Sequence, residues 1–368
     1  MTSAIKPDVL PLAKGQRPLP DDEGGDTGTL LCPTLPPDLN YVDDRQPGIR
    51  RRKLRGKFVY FDLKGERIRE QEEIQRINKL AIPPAYEDVW ICPDPKGHLQ
   101  ATGRDARGRK QYRYHPRWRE IRDADKYERL LEFGRALPKL RTRIEEHLQL
   151  PGLGHDKVVA TVVALLDSTL IRVGNTQYAR ENKSFGLTTL RNRHVEVKGA
   201  GIRFHFRGKS GVEHEVALQH PRLAKIIRRC LELPGQHLFQ YLDDDKQRRV
   251  VTSSDINQYL QEHSGSDFTA KDYRTWAGTA LALDRLRQLP HEERSATEQK
   301  RLINEVIKDV ASQLGNTPAI CRKCYVHPAV LEHFVAGELA SLSKARTRKG
   351  LRDEETTLMR FLEQLNPE

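Results

Sequence analysis

Three basic side chains, one amide and one tyrosine, spread from position 172 to position 325, hold the chemistry this sequence can offer to a phosphate. Arg172 lies in Ile171-Arg-Val-Gly-Asn175, at the end of the most apolar stretch of the chain. An arginine there can reach from a rigid support into a cleft, where its planar fork grips two oxygens at once. Read alone, it is better explained as a cation answering the negative pole at a helix C-terminus. Lys209 lies in Arg207-Gly-Lys-Ser-Gly211, between two alternating segments. A lysine on such a hairpin tip reaches a phosphate or is simply solvated. Gly208-Lys-Ser210 invites comparison with a phosphate-binding P-loop, but that motif needs a glycine where this chain has Arg203, and no helical pattern follows. Arg274, in Lys271-Asp-Tyr-Arg-Thr-Trp-Ala277, falls in the first turns of a predicted helix, where the dipole adds to its attraction for an anion. The alternative is a solvated helix face. Tyr325 comes nine residues after Asn316 in a segment that begins Gly315-Asn-Thr-Pro318. A lone tyrosine is more often half-buried packing with its hydroxyl tied up. Phosphodiester transfer requires a nucleophile, cations to neutralise the non-bridging oxygens, and an acid for the leaving oxygen. Residue types for all three are present, and no single one decides the matter.

The pair Cys321-Arg-Lys-Cys324 is a second constellation, with His327 as a third candidate ligand. A fourth ligand at a sensible spacing is missing and no βαβ pattern surrounds the pair, so neither a metal nor a redox role is expected. The five cysteines are odd in number and sparse, which fits a reducing cytosol rather than a disulfide framework.

These residues sit in a basic chain of 368 residues, with 63 Lys and Arg against 51 Asp and Glu, a formal net charge of +12. A pI near 9.4 is that of a nucleic-acid or anionic-surface binder. The length suggests about two domains. No apolar run approaches the ~18 residues that span a bilayer, and residues 1–15 lack the pattern of a signal peptide. Residues 1–40, rich in Pro, Gly and Asp, read as a disordered leader. Alternation predicts strands at 57–62, 89–92, 99–102 and 111–114, a small β-rich domain assigned to 41–120.

From about 121 helices dominate. Helical spacing marks 126–136 and 140–148. Residues 155–171 predict a buried helix stopped by Gly174 as a C-cap. Period-two alternation between 193 and 218 predicts a three-stranded antiparallel sheet. Thr269 with Asp272, and Ser295 with Glu298, have capping-box spacing for helices ending near 289 and at Gly315. Pro318 and Pro328 each suit the first turn of a short helix. The helical domain is assigned to 121–343, and 344–368 to a charged tail with one amphipathic helix.

Order and context bring these segments together. Tyr41-Val-Asp-Asp with Pro47-Gly-Ile-Arg-Arg-Arg52, Gly103-Arg-Asp-Ala-Arg-Gly-Arg-Lys-Gln-Tyr-Arg-Tyr114, Leu170-Ile-Arg-Val-Gly174, Phe185-Gly-Leu-Thr-Thr-Leu190, Lys271-Asp-Tyr-Arg-Thr275, and Gly315-Asn-Thr-Pro318 leading to Tyr325 resemble the type IB DNA topoisomerases, especially the small bacterial and poxvirus-like forms, over roughly residues 41–340. The resemblance implies an α+β protein of two lobes around duplex DNA, a small β-rich lobe and a mainly helical catalytic lobe. It implies Tyr325 as the nucleophile that becomes joined to a 3′ phosphate, Arg172 and Arg274 as the pair on the non-bridging oxygens, and Lys209 as the general acid for the 5′ oxygen. Asn316 falls where many relatives carry His, so at that position an amide donor replaces a chargeable ring. The same resemblance places Gln111, Tyr112 and Tyr114 on the DNA-facing side, beside the phosphate-seeking Arg109 and Lys110.

It further implies a monomer in the bacterial cytoplasm, at the nucleoid, that acts with neither ATP nor an obligatory metal, and no cofactor is expected. A tyrosine recombinase shares these residue types, but its pattern has His three residues before the second arginine, where this chain has Lys271. A non-enzymatic basic DNA-binding protein is the remaining rival, one that would leave no covalent adduct.

Overall fold

A computed structural model of the protein describes residues 38–105, 108, 110–290, 294–342 and 346–366. Nearly all of the expected leader and Arg109 lie outside the described residues. Two compact units are present, one up to residue 126 and the other from residue 127 onward.

The first unit is built on β1 (Ile49–Leu54), β2 (Lys57–Phe61), α1 (Gln71–Lys79), β3 (Glu87–Ile91), β4 (Leu99–Arg104) and β5 (Lys110–Tyr114). The strands form one antiparallel sheet in the order β2-β1-β3-β4-β5, which leaves β5 at an edge. Ile49, Ile77, Val89, Ile91 and Ala101 form a core on one face; Trp90, Cys92 and Leu99 pack with Tyr112 and Tyr114 on the other. β1 reads IRRRKL and has no apolar alternation to announce it. It is held by ladders on both sides and by Arg51, whose guanidinium donates to the carbonyls of Ile82, Pro83 and Tyr86.

Helix α2 runs unbroken over Pro116–Gln149, where the sequence suggests two helices separated near Pro138. An interior proline costs about 3 kcal/mol. Here Leu130, Phe133, Leu137, Leu140, Ile144 and Leu148 are all buried, on both sides of the proline. Burying several such side chains, at about 1.5–3 kcal/mol each, outweighs that cost.

The second unit continues with α3 (His155–Thr169), α4 (Thr176–Asn182), β6 (Val195–Lys198), β7 (Gly201–Arg207), β8 (Glu213–Gln219), α5 (Pro221–Leu231), β9 (Gln240–Leu242), β10 (Arg248–Val250), α6 (Ser253–Ser264), α7 (Ala270–Gln288), α8 (Ala296–Leu314), α9 (Pro318–Cys324), α10 (Pro328–Val335) and α11 (Asp353–Leu365). The sheet β6-β7-β8 is antiparallel, and Ile202, Phe204, Phe206, Val216 and Leu218 line its buried face. The caps agree with the sequence. The Thr269 amide and hydroxyl both donate to Asp272 at 2.7 and 2.9 Å, Ser295 accepts from the Glu298 amide, and Gly315 ends α8 in the left-handed region at φ 60°.

Helix α3 ends earlier than the sequence suggests. Leu170, not Gly174, takes the left-handed C-cap, at φ 57°. Gly174, at φ 103°, serves instead for close approach: a Cβ on Gly186 would lie 2.7 Å from its Cα.

Helix α11 is no appendage. Leu358, Met359, Phe361 and Leu362 are buried in the common core, and α11 packs on α7. Arg141 binds Asp167 and Glu355 with four hydrogen bonds of 2.7–2.9 Å, Arg352 pairs with both acids, and the Trp276 indole donates to Glu355 at 3.2 Å. This network ties α2, α3, α7 and α11 together. Among the described residues, no helix is long and apolar enough to cross a membrane.

Candidate active site

Four of the five expected catalytic residues converge in the second unit. The C-terminus of α8 is the anchor. Gly315 turns the chain, and the Asn316 amide returns to the Ala311 carbonyl at 2.8 Å, closing a Schellman-type cap. Carbonyls at this end carry the negative pole of the helix, and both arginines take them. Arg274 Nη2 donates to the Leu314 carbonyl at 2.7 Å, and Arg172 Nη1 to the Gly315 carbonyl at 3.0 Å. Arg274 Nη1 reaches the Leu170 carbonyl at the end of α3. The second Arg172 nitrogen donates to Asn316 Oδ1. Two helix ends therefore hold the guanidinium groups side by side.

The amide of Asn316 is oriented by that bond. A guanidinium only donates, so the oxygen must face Arg172 and the nitrogen must face away. Among the described residues, buried Asn316 Nδ2 has no partner, and neither has Arg274 Nε. Both are donors with capacity left for an acceptor.

Tyr325 is placed by the short helix α9. Thr317 caps α9, Pro318 opens it, and Tyr325 ends it with φ −133° and ψ 0°, its amide bonded to the Cys321 carbonyl at 2.9 Å. The Arg274 guanidinium carbon lies 5.1 Å from the Tyr325 ring centre. Burial pushes the phenol up, but the charges of Arg274 and Arg172, a hydrogen bond from Arg274 and the charge of Lys271 outweigh it, so the hydroxyl is more acidic than an ordinary tyrosine.

Lys209 begins a short 3-10 turn, Lys209–Gly211, between β7 and β8. The Gly208 amide donates to the Val212 carbonyl at 2.7 Å, which closes this turn. The hairpin meets the loop that anchors the arginines through His214, whose ring lies against both Gly208 and Gly315. Cys321 and Cys324 are both buried thiols on α9, and burial pushes Cys321 up to about 12.

In the first unit, β5 divides the expected DNA-facing residues. Lys110, Tyr112 and Tyr114 share one face; Tyr112 and Tyr114 stack 6.1 Å apart, and the Lys110 ammonium is 5.5 Å from the Tyr112 ring centre and 2.5 Å from Asp44. Gln111 lies opposite Gly103, turned to the other face, buried, and donates to Asp105 at 3.0 Å. The pleat alternates side chains, so neighbours in sequence cannot share a face. Beyond Tyr114 the ring contacts continue to His98, tilted at 6.2 Å, and to the exposed Tyr41, which stacks 4.5 Å from His98.

The family model for the catalytic core of eukaryotic DNA topoisomerase I matches residues 115–349. The model for the N-terminal domain of bacterial DNA topoisomerase IB matches residues 57–105. DNA topoisomerase 1B of Acanthamoeba polyphaga mimivirus is 34% identical over 296 residues, covering 78% of this chain and 87% of its own length. The chain belongs to the type IB DNA topoisomerases. DNA topoisomerase 1B of Vaccinia virus (strain Copenhagen) is 26% identical over 250 residues, 67% of this chain and 75% of its own. The enzyme is thus an isomerase of DNA, and its two-part α+β architecture is the one the resemblance implied.

Two further residues shape this topoisomerase site and were not singled out in the sequence. Gly278 stands one helical turn beyond Arg274 on α7. A Cβ there would lie 2.5 Å from the Tyr325 carbonyl oxygen and 3.1 Å from its Cβ. The glycine lets the tyrosine backbone lie directly on the helix. An interior helical glycine costs about 1 kcal/mol against alanine and usually has a packing reason, so the signal was readable. The second is His214, a polar residue on the buried face of β8, where alternation calls for an apolar one.

Proposed function

We propose that this topoisomerase relaxes duplex DNA through a covalent phosphotyrosyl intermediate formed by Tyr325. The Tyr325 oxygen attacks a backbone phosphorus and gives up its proton to water. The bond to the 5′ oxygen breaks, and Lys209 supplies a proton to that oxygen. The strand is then held as a 3′ phosphotyrosine, the duplex swivels, and the reverse steps reseal it. Arg172 and Arg274 neutralise the non-bridging oxygens, and Asn316 Nδ2 donates to one of them. The energy of the broken bond stays in the phosphotyrosine, so religation asks for no nucleotide, and the side-chain cations stand where other phosphoryl-transfer enzymes use metal ions. Lys110, Tyr112 and Tyr114 serve as contacts to the duplex.

The observation that supports this reading best is the acidified Tyr325 hydroxyl beside two anchored arginines, with one amide donor unpartnered. Tyr325→Phe tests it. The variant should bind duplex nearly as well as the parent, because affinity comes from many phosphate contacts. It should form no denaturant-resistant DNA adduct and should not relax supercoiled plasmid, whereas the parent does so in excess chelator without nucleotide. Relaxation by the Phe variant would remove Tyr325 from the nucleophile's role.

A further inference from the structure

His214 occupies the tip end of the buried face of β8, across from Phe206 in the ladder. Its ring stacks flat on the Phe206 ring, 5.1 Å between centres at 6°. On its other sides it meets backbone. A Cβ on Gly208 would lie 2.5 Å from the His214 Nε2, and a Cβ on Gly315 would lie 2.3 Å from its Cε1. The ring therefore fills the space between the peptide that precedes Lys209 and the peptide that precedes Asn316. Gly315 is also the residue whose carbonyl anchors Arg172. One flat side chain thus sets the spacing between the lysine hairpin and the loop that carries the amide and holds the arginine.

We infer that His214 is a positioning residue that fixes the Lys209 hairpin against the Gly315–Asn316 turn. Both neighbours are glycines, and either one with a side chain would push the ring out. The ring is also suited to the place because it carries no charge: burial, with Arg172 and Arg274 nearby, pushes it down to about 4, so it adds no repulsion toward the arginines at neutral pH. A shift of the hairpin by about 1 Å is enough to cost on the order of 10²-fold in rate. This inference rests on the proposed participation of Lys209, and on no particular chemistry for it.

The test is a double-mutant cycle on single-turnover cleavage by pre-bound enzyme. His214→Ala should slow cleavage about 10- to 100-fold while duplex affinity changes less than about 2-fold. In a Lys209→Ala background the same change should cost almost nothing more, because the group it positions is already gone. Gly208→Ala gives a second route that keeps the ring. Its φ of −95° accepts alanine, and the new methyl would press on His214. Gly208→Ala should slow cleavage alone and should cost little beyond the loss of His214→Ala when the ring is also gone. Losses that multiply between His214→Ala and Lys209→Ala would overturn the inference, as would full activity of both His214→Ala and Gly208→Ala. If His214→Ala does not fold, the Gly208→Ala and Lys209→Ala pair reads the same coupling, and multiplied losses there overturn it. The cycle reports coupling whatever Lys209 does, so a failed acid role for Lys209 is read separately, from its response to leaving-group acidity.

Discussion

An amide at position 316 gives the site a donor without a charge. Its oxygen is taken by Arg172, so the nitrogen is directed by a bond that cannot form the other way round. In the proposed mechanism the charge on the phosphate is then met by Arg172, Arg274 and Lys209. Lys209 can be separated from the arginines by the basicity of the leaving group. An alkoxide needs a proton to depart, whereas a thiolate, from a thiol of pKa about 8–9, does not. Lys209→Ala should cleave ordinary DNA roughly 10²–10⁴-fold more slowly and recover most of that loss on a substrate with sulfur at the 5′ bridging position. Arg172→Ala and Arg274→Ala should recover much less, since non-bridging charge still develops. Single-turnover cleavage of both substrates by the three variants decides it. Equal rescue of all three, or none for Lys209→Ala, would leave the lysine as a positioning group.

Element by element, the site is a set of helix ends. The C-terminus of α8 holds both arginines through carbonyls, the start of α7 presents Arg274, and the end of α9 presents Tyr325. Gly278 is the point where two of these elements touch. Gly278→Ala should leave α7 helical, since alanine is the better helix former. It should push Tyr325 off the helix and lower single-turnover cleavage by about 10²-fold, as expected for a displacement near 1 Å. Parental cleavage by Gly278→Ala would show that the tyrosine backbone can shift without consequence.

Much of this was legible in the sequence for a physical reason. Caps, prolines at first turns and period-two sheets are local signals, and Thr269, Ser295, Pro318 and Pro328 each gave one. The remainder depends on distant partners. The strand β1 exists because β2 and β3 pair with the backbone of its basic residues; α2 passes through Pro138 because the core lies along both halves; and Leu170 accepts a left-handed conformation that local preference would assign to Gly174. Gln111 was grouped with Tyr112 and Tyr114 by resemblance, and the pleat separates them.

For the whole molecule, charge and protonation are the governing quantities. A chain with net charge +12 that grips a polyanion releases counterions, so duplex affinity should fall steeply with salt. Lys110→Gln should reduce the magnitude of the slope of log affinity against log salt by about one if Lys110 meets a phosphate. An unchanged slope would place the duplex elsewhere. Acid should act on the fold itself. Burial is the main cause that pushes both His194 and His214 down to about 4. The unfolded chain takes up these protons from about pH 6.5. Between those values the unfolded state binds more protons than the folded one, so stability is lost as pH falls from about 6.5 to about 4. For His214 alone the loss reaches up to about 3 kcal/mol. Denaturant melts across that window should show a shallower pH dependence for His214→Asn, and an identical dependence would mean the ring titrates normally.

The four described cysteines carry a consequence of their own. Cys92 lies in the core of the first unit; Cys230, Cys321 and Cys324 lie in the second; and all four thiols are closed off from solvent. Thiol chemistry needs the thiolate, and burial raises Cys230 and Cys321 to about 12. An alkylating reagent can therefore reach them only when the surrounding structure opens. Their labelling rates are built-in clocks of breathing, with Cys92 timing the sheet and Cys321 timing the short helix that ends at Tyr325. Addition of duplex would slow the second clock alone if DNA braces the catalytic turn, a local motion that a melting curve averages away.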